Sequence, residues 1–353
     1  MSRLLITGAA GYIGSHVAVE LLQAGHDVVV LDDLSAGHAD ALVRAGQLGG
    51  TPVDFVLGRV EDPDALDRAL TEFGPVDAVL HFAALKSVPE SVAQPLRYWS
   101  VNVGGTQALC EAMVRHDVRR AVFSSTAAIY GSDAPMPVDE AAPVEPESPY
   151  GRTKLAAEGI FRDAAAAHGW QVLLLRYFNP VGAHPSGRIG EDQERPANLA
   201  PIVLGVALGE RDGLVVHGTD YDTPDGTAVR DFLHVLDLAT CHRLAVEGLP
   251  KLGDGDVRVY NIGTGRGSSV LELIAAAERA CGHAIPYSVG QRRPGDLPAV
   301  VADPRRFEAD FGFRPQRDLD SMLADAWAWS LAQRRKPWRR GDGALADLTM
   351  DDD

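Results

Sequence analysis

Near its start the chain reads Arg3-Leu-Leu-Ile-Thr-Gly8-Ala-Ala-Gly11-Tyr-Ile-Gly14-Ser-His, an apolar strand, three spaced glycines and a helix-forming run. Few patterns constrain a fold as tightly. The glycines let the turn close and let main chain approach a pyrophosphate. The helix behind them supplies unpaired N–H groups and the positive end of its dipole. The next apolar run ends at Asp32, close to the offset of about 20 residues expected for a carboxylate that holds both ribose hydroxyls. That carboxylate repels a 2′-phosphate, so NAD is favoured over NADP. A glycine-rich turn alone is equally a structural turn, and an acid alone is equally a surface turn residue. Their joint setting between strand, helix and strand carries the reading.

The same alternation continues. Strands are expected at Arg3–Thr7, Asp27–Leu31, Val53–Leu57, Ala78–Phe82, Arg120–Ser124 and Trp170–Tyr177, with helices at Gly14–Ala24, Pro63–Thr71, Asn102–Arg115 and Tyr150–Ala167 between them. This is the pattern of an α/β protein with a doubly wound parallel sheet, whose ligand sits beyond the carboxyl ends of the strands. After Asn179 the texture changes. Residues 179–198 are rich in Gly, Pro, Asp and Arg, and 221–226 form a second such stretch. Long loops in a compact protein are usually functional. Helices resume at Asp237–Glu247 and Val270–Cys281, and the tail, basic and then acidic, is expected to fray. The expected division is a Rossmann-type dinucleotide domain over 1–178 with a return segment near 232–262. A smaller α/β substrate domain takes 179–231 and 263–335, leaving 336–353 as tail.

Composition narrows the partners. With 33 Lys and Arg against 49 Asp and Glu, the formal charge is −16, which disfavours nucleic acid and anionic membrane surfaces. A small anionic ligand is still possible, because local arginines and helix ends override the global field. Cys110, Cys241 and Cys281 are far apart and odd in number, with no CxxC pair. They read as reduced thiols in a reducing compartment, and the cytoplasm is the default location. No metal is expected. The N-terminal apolar run is broken by glycines and lacks a cleavage pattern, and no run of about 18 apolar residues is present.

Tyr150 and Lys154 stand four apart in Ser-Pro-Tyr-Gly-Arg-Thr-Lys, on one face of the expected helix. A nearby ammonium and a nicotinamide charge would lower the phenol's pKa and let Tyr150 act as a base near neutral pH. Such a pair alone is usually a surface accident. Here it follows the fifth strand of a dinucleotide fold. Ser124, Ser125 and Thr126 close that strand, where a hydroxyl could share a proton with Tyr150 or simply cap the turn.

Further stretches carry a resemblance: His-Phe-Ala-Ala-Leu-Lys-Ser-Val (81–88), Leu-Arg-Tyr-Phe-Asn-Pro-Val-Gly-Ala-His-Pro-Ser-Gly (175–187), Asp-Gly-Thr-Ala-Val-Arg-Asp-Phe-Leu-His-Val (225–235) and Arg-Arg-Pro-Gly-Asp-Leu-Pro-Ala (292–299). With residues 7–16 and 148–154, they make the chain resemble, along nearly its whole length, the UDP-glucose 4-epimerases of the extended short-chain dehydrogenase/reductase superfamily. The resemblance implies that Tyr150 is the base and Lys154 its electrostatic partner, with Thr126 in the catalytic hydroxyl position. The dinucleotide would be lined by Gly8, Gly11, Tyr12, Ile13, Gly14, Asp32, Asp33 and Leu34. Arg59, Val60, Phe82, Ala83, Ala84, Lys86, Asn102, Ser124 and Tyr177 would complete that site. Lys86, Thr126, Tyr150, Phe178, Asn179, Asn198, Leu199, Val216, His217, Arg230, Arg293, Asp296 and Val300 would meet a UDP-hexose. Arg230 and Arg293 would grip the diphosphate and Asp296 the uridine.

The implied reaction has no net redox: the sugar is oxidised at C4 to a 4-keto sugar, turns over, and is reduced on its other face, with NAD retained. A homodimer packed through the Asn102 and Tyr150 helices is also implied. Two positions depart from the pattern of many relatives. Arg59 follows Gly58 where an Asp reads adenine, so the adenine contact would pass to backbone near Val60 or to stacking on Arg59. Val300 stands where some relatives carry Tyr, which implies room for N-acetylated sugars. Rival readings are a 4,6-dehydratase, a decarboxylase and a non-catalytic NAD(H) sensor. The first is disfavoured because Thr126 is followed by Ala127-Ala128 rather than Asp-Glu. No carboxylate-binding group for a uronate is identifiable, and a sensor could dispense with the Tyr150, Lys154 and Thr126 set.

Overall fold

The computed structural model describes residues 1–192, 196, 198–293, 296–335 and 338. The tail expected to fray lies outside these residues, Trp338 excepted.

Alternating apolar runs build the first half. β1 (Arg3–Thr7), α1 (Tyr12–Gln23), β2 (Asp27–Asp32), α2 (Ala39–Gly49), β3 (Asp54–Leu57), α3 (Pro63–Thr71) and β4 (Ala78–His81) are followed by α4 (Val88–Ala93) and α5 (Pro95–Tyr98). Then come α6 (Gly105–Arg115), β5 (Arg120–Thr126), α7 (Pro149–His168), β6 (Gln171–Tyr177) and β7 (Asn179–Val181). The remainder holds α8 (Leu199–Ala207), β8 (Leu214–His217), β9 (Val229–Arg230), β10 (Phe232–His234), α9 (Val235–Gly248) and β11 (Val257–Ile262). It closes with β12 (Ser268–Ser269), α10 (Val270–Cys281), β13 (Tyr287–Gly290), β14 (Ala299–Val300), α11 (Arg305–Phe311) and α12 (Leu319–Arg335).

Seven strands form one parallel sheet in the order β11-β6-β5-β4-β1-β2-β3. Both of its faces are buried, which is why its strands read as near-continuous apolar runs. Period-two alternation sorts the side chains: Leu4, Ile6, Val28, Val30 and Leu80 pack under α1, α2 and α9. Leu5, Val29, Leu31, Val79 and Phe123 pack under α3, α6 and α7. The strand order reverses between β1 and β4, so the loops after those two strands flank a switch point, where such sheets bind ligands.

Local chemistry sets the helix ends. Asp62 caps α3 through Asp64 N–H with Pro63 at the first position, and Ser148 with Pro149 does the same for α7. Ser269 and Glu272 form a capping box at α10. The helix expected over Asn102–Arg115 differs at its start. Trp99–Gly104 is a π-helical segment, and regular α-helix begins only at Gly105. The wide turn places Asn102, whose side chain is fully engaged across to β4 and α7, and π turns recur at functional sites.

The loop expected at 179–198 contains β7, which pairs with β10. Smaller sheets, β12-β9-β14 and β13-β8, lie in the second half, where α8, α10 and α12 pack into a third core with Val203, Leu204, Leu273 and Leu323. Among the described residues no helix is long and apolar enough to cross a membrane.

Candidate active site

The turn after β1 is held by contacts only glycine permits. Gly8 has φ +80°, and a Cβ there would lie 2.6 Å from Ala83 N; one on Gly14 would lie 2.6 Å from Gly8 O. The loops after β1 and β4 therefore touch main chain to main chain, with Phe82 and Ala83 N–H both bonded to Thr7 O at 3.0 Å. Gly11 occupies the N-cap of α1, with no side-chain cap and no acid in the first turn. The N–H groups of Tyr12, Ile13 and Gly14 thus open the helix with its positive dipole end toward the switch point. Tyr12 itself donates its hydroxyl to Gly182 O at 2.7 Å, tying α1 to the strand β7 side of the molecule.

Asp32 ends β2 nearly buried. Its Oδ2 accepts Ala10 N–H at 2.9 Å and its Oδ1 accepts Leu34 N–H at 2.8 Å. Burial outweighs both bonds and pushes the carboxyl up to about 6. Each oxygen keeps a further acceptor site, which suits two ribose hydroxyls. Leu34 turns the chain at φ +56°, and Asp33 Oδ1 accepts Ser35 N–H at 2.9 Å. Together, the open helix end, the close glycine turn and the Asp32 acceptor pair fit a dinucleotide diphosphate with an unmodified adenosine ribose.

Farther along the same edge, Val60 is buried and the exposed Arg59 donates to Glu61 at 2.8 Å. Arg59 is thus held by an acid two residues on. Phe82 is half-buried, with its ring 4.8 Å from that of the buried His242, and Ala84 is half-buried beside it. Asn102 is 2 % exposed, and its amide is spent on protein. Its Nδ2 donates to Leu85 O and to Thr153 Oγ1, both at 3.0 Å, and its Oδ1 accepts Leu85 N–H at 2.8 Å. It fastens the loop after β4 to α7.

The catalytic candidates converge at the carboxyl end of β5. Tyr150, second residue of α7, lies close enough to Thr126 for that hydroxyl to lower its phenol's pKa. Thr126 Oγ1 accepts Ala128 N–H at 3.1 Å, capping the short 3₁₀ turn Ala127–Ile129; the cap uses the oxygen as an acceptor and leaves its O–H free to donate. Lys154 is 3 % exposed one turn on, its Nζ 4.4 Å from the Phe123 ring centroid. Burial pushes this ammonium down to about 7, with Glu158 pulling the other way. Burial also raises the Tyr150 phenol, against the hydrogen bond from Thr126. The lowered phenol pKa expected from sequence is not a property of the protein groups alone. It requires added positive charge, which an oxidised nicotinamide carries. Ser124 Oγ lies 2.6 Å from Tyr177 Oη, placing both at the same strand ends.

The residues expected at a UDP-sugar line the second half. Phe178 is buried against Ile129, Tyr130 and Ala302, with Val300 packed at the rim of that cluster. Asn179 lies half-buried in β7, its N–H bonded to Asp231 O at 3.1 Å. Asn198 is the N-cap of α8 and Leu199 its first residue. His217 Nδ1 meets Gln291 O at 3.1 Å. Val216 is 1 % exposed with its side chain inside the third core, which leaves its main chain to meet a ligand.

Arg230 donates through Nη1 to Val229 O at 2.8 Å and Leu297 O at 2.9 Å, and its Nη2 lies 3.6 Å from Asp296. Two expected uridine-diphosphate residues are thereby brought together. Arg293 is exposed and, among the described residues, pairs with no carboxylate. Its neighbour Arg292 is occupied, bonded to Asp220 at 2.8 Å and lying 4.2 Å over the Tyr221 ring.

Two acids were not anticipated. Glu158 is buried beneath Lys154, accepting Ser125 Oγ at 2.6 Å and Arg176 at 2.9 and 2.7 Å. Its spacing four residues after Lys154 was the available signal. Glu191 joins Lys86 to Asn198, and nothing in its loop-like surroundings announced it.

Comparison with known proteins agrees with this geometry. The model of the NAD dependent epimerase/dehydratase family matches residues 4–263. A UDP-glucose 4-epimerase of Bacillus subtilis is 48 % identical over 328 residues, covering 92 % of this chain and 96 % of its own. A crystal structure of the UDP-glucose 4-epimerase from Bifidobacterium longum, in complex with NAD+ and UDP, is 44 % identical with TM-score 0.89, covering 95 % and 99 %. The UDP-Glc/GlcNAc 4-epimerase of Campylobacter jejuni is 35 % identical with TM-score 0.81, covering 94 % and 99 %.

Proposed function

The chain belongs to the NAD dependent epimerase/dehydratase family, and from that premise we propose that it interconverts UDP-glucose and UDP-galactose through a transient 4-keto sugar. The observation that carries the reading is the meeting of Tyr150, Thr126 and the buried Lys154 at the end of β5, beside a turn and an Asp32 acceptor suited to NAD. Bound NAD supplies the reversible hydride chemistry at C4. Tyr150 takes the proton of the sugar 4-hydroxyl, Thr126 shares it, and Lys154 provides the positive charge that makes the phenolate accessible. Burial raises the Tyr150 phenol, so the positive charge of the oxidised dinucleotide favours its action as a base.

On this reading the labour is divided along the chain. Residues 1–178 with 232–262 hold the dinucleotide, and 179–231 with 263–335 hold the UDP-sugar. Arg230, Arg293 and Asp296 anchor the nucleotide, so the keto sugar is retained while the hexose turns over between Tyr150 and Val300. Valine at position 300, at the rim of the Phe178 cluster, leaves volume for a 2-acetamido group. We extend the reading to UDP-GlcNAc and UDP-GalNAc on that ground, and the Campylobacter jejuni relative acts on UDP-Glc and GlcNAc by its name.

A homodimer accords with an exposed apolar stripe. Val88, Val92, Leu96 and Trp99 recur every three or four residues along α4, α5 and the π segment, with Leu96 82 % exposed. Three free cysteines suit the cytoplasm.

The test is purified protein with UDP-galactose and no added NAD, the product read by NMR. UDP-glucose forms at equilibrium; a 4-keto-6-deoxy sugar in its place would refute the reading in favour of a dehydratase, and no product at all would favour a sensor.

A further inference from the structure

One carboxylate sits where two ligand-facing residues from different halves of the chain meet. Glu191 is 8 % exposed. Its Oε1 accepts Asn198 Nδ2–H at 2.6 Å, and Lys86 Nζ lies 3.5 Å from the same oxygen. Behind it, the main chain is pinned. Glu191 O accepts Trp329 Nε1–H at 2.7 Å, and a Cβ on Gly190 would lie 2.5 Å from the Trp329 ring, so the indole packs directly on the backbone. Lys86 comes from the loop after β4 at the dinucleotide edge, and Asn198 from the start of α8.

Asn198 shows what this arrangement displaces. Asparagine is among the best N-cap residues because its side chain accepts the helix's free N–H groups. Asn198 occupies the N-cap of α8 and makes no such bond. Its amide is drawn to Glu191 instead. A local preference set aside in favour of a buried acid is the kind of inconsistency that marks a working site.

We propose that Glu191 is a positioning residue for nucleotide-sugar binding: it holds the Asn198 amide off the end of α8 and toward the cleft, and it tethers Lys86 across that cleft. The inference rests on the UDP-hexose reading above. Glu191 touches no reacting atom in this scheme, so its effect falls on KM rather than on kcat.

A double-mutant cycle on the holoenzyme tests it, with UDP-galactose kinetics, calorimetric titration with UDP and melting temperature read in parallel. E191A and N198A should each raise KM by roughly five- to tenfold, one hydrogen bond's worth of positioning, with kcat falling less than about threefold. The double variant should be no worse than N198A, because the two residues act as one unit. E191Q keeps the acceptor at full reach and should recover most of the loss, whereas E191D keeps the charge but withdraws it by a methylene and should not. The Asp and Gln variants carry the test if the Ala variant fails to fold. Additive losses, a wild-type KM in E191D, or a lowered melting temperature with KM unchanged would each overturn the proposal. If the wild type binds UDP but does not epimerise UDP-galactose, the reading of the reaction fails instead. The UDP affinities of the five variants, ranked in the same way, then decide the role of Glu191.

Discussion

Replacing Lys154 by Met should make the protein more stable and nearly inactive. The side chain is 3 % exposed, and burial brings its pKa from 10.5 to about 7. The sign follows from linkage. Between pH 7 and 10.5 the unfolded chain binds a proton there that the folded chain does not, so stability is lost as pH falls through this window and the loss is complete below about 7. At pH 8 the interval up to 10.5 is worth about 3 kcal/mol, at about 1.4 kcal/mol for each pH unit. Methionine fills a similar volume without the charge. It forfeits the contact of Nζ with the Phe123 ring at 4.4 Å, which gives back little, because the folded amine is largely neutral at this pH and a cation–π attraction needs the charge. A net gain of about 3 kcal/mol remains, which should raise Tm by about 4 °C in a chain of this size. The melting curve is recorded from pH 6 to 9.5 on protein stripped of dinucleotide, so that lost cofactor affinity does not mask the gain. The gain should be largest at pH 6–7 and shrink as pH rises. Epimerisation should fall at least about a hundredfold, because Tyr150 loses its charge partner. A Tm that drops at pH 7, a gain independent of pH, or near-normal turnover would each refute the argument that this lysine is kept for chemistry at a cost in stability.

Three further outcomes are expected. Tyr150→Phe should fold and retain NAD, since the ring is kept and Thr126 still caps Ala128, but turnover measured with UDP-galactose should fall about a hundredfold or more. Arg59→Ala should change NAD affinity little by calorimetry, because Arg59 is exposed and bonded to Glu61; a large loss would instead assign it to stacking on adenine. Val300→Tyr should depress kcat/KM for UDP-GalNAc while sparing UDP-galactose, and a wild type inactive on UDP-GalNAc would mean that neighbouring side chains refill the space.

What was legible in the sequence was whatever local chemistry determines. The strand Arg3–Thr7 and the helices Pro63–Thr71 and Val270–Cys281 match to the residue, because each is bounded by glycine, proline or a capping side chain. β11 was not read as a strand, for Val257–Ile262 is a short run whose place on the sheet edge depends on pairing with β6. β7, β9, β12 and β14 have two or three residues each and exist only through their partners. In the site, the glycine turn, Asp32, Tyr150 and Lys154 were readable because their chemistry demands fixed spacings. Glu158 and Glu191 were not, since an acid becomes informative only when the fold buries it against a named cation. For Asn102 and Val216 the sequence could not show what the fold does with the side chain: the amide of one braces a loop, and the other packs in the core.

The distribution of charge explains how a chain of net charge −16 can receive a diphosphate. Long-range repulsion is screened within about 10 Å at ordinary ionic strength, so the near cations decide. Lys86 lies against Glu191 and Arg230 against Asp296, at 3.5 and 3.6 Å. Both separations are longer than a tight charge-assisted hydrogen bond, so neither cation is fully neutralised. Arg230 is meanwhile aimed by two carbonyls, Val229 O and Leu297 O. Its direction is therefore set by neutral groups and its charge left largely available, which is preorganisation without a reorganisation cost when an anion arrives. Arg293 is exposed and, among the described residues, has no ion pair that would fix its direction. On the proposed function, Arg230 would set where the diphosphate lies, and Arg293 would add charge once it is there. Loss of Arg230 should consequently impair discrimination between UDP-sugars and their fragments more than loss of Arg293, even where the two lower overall affinity equally.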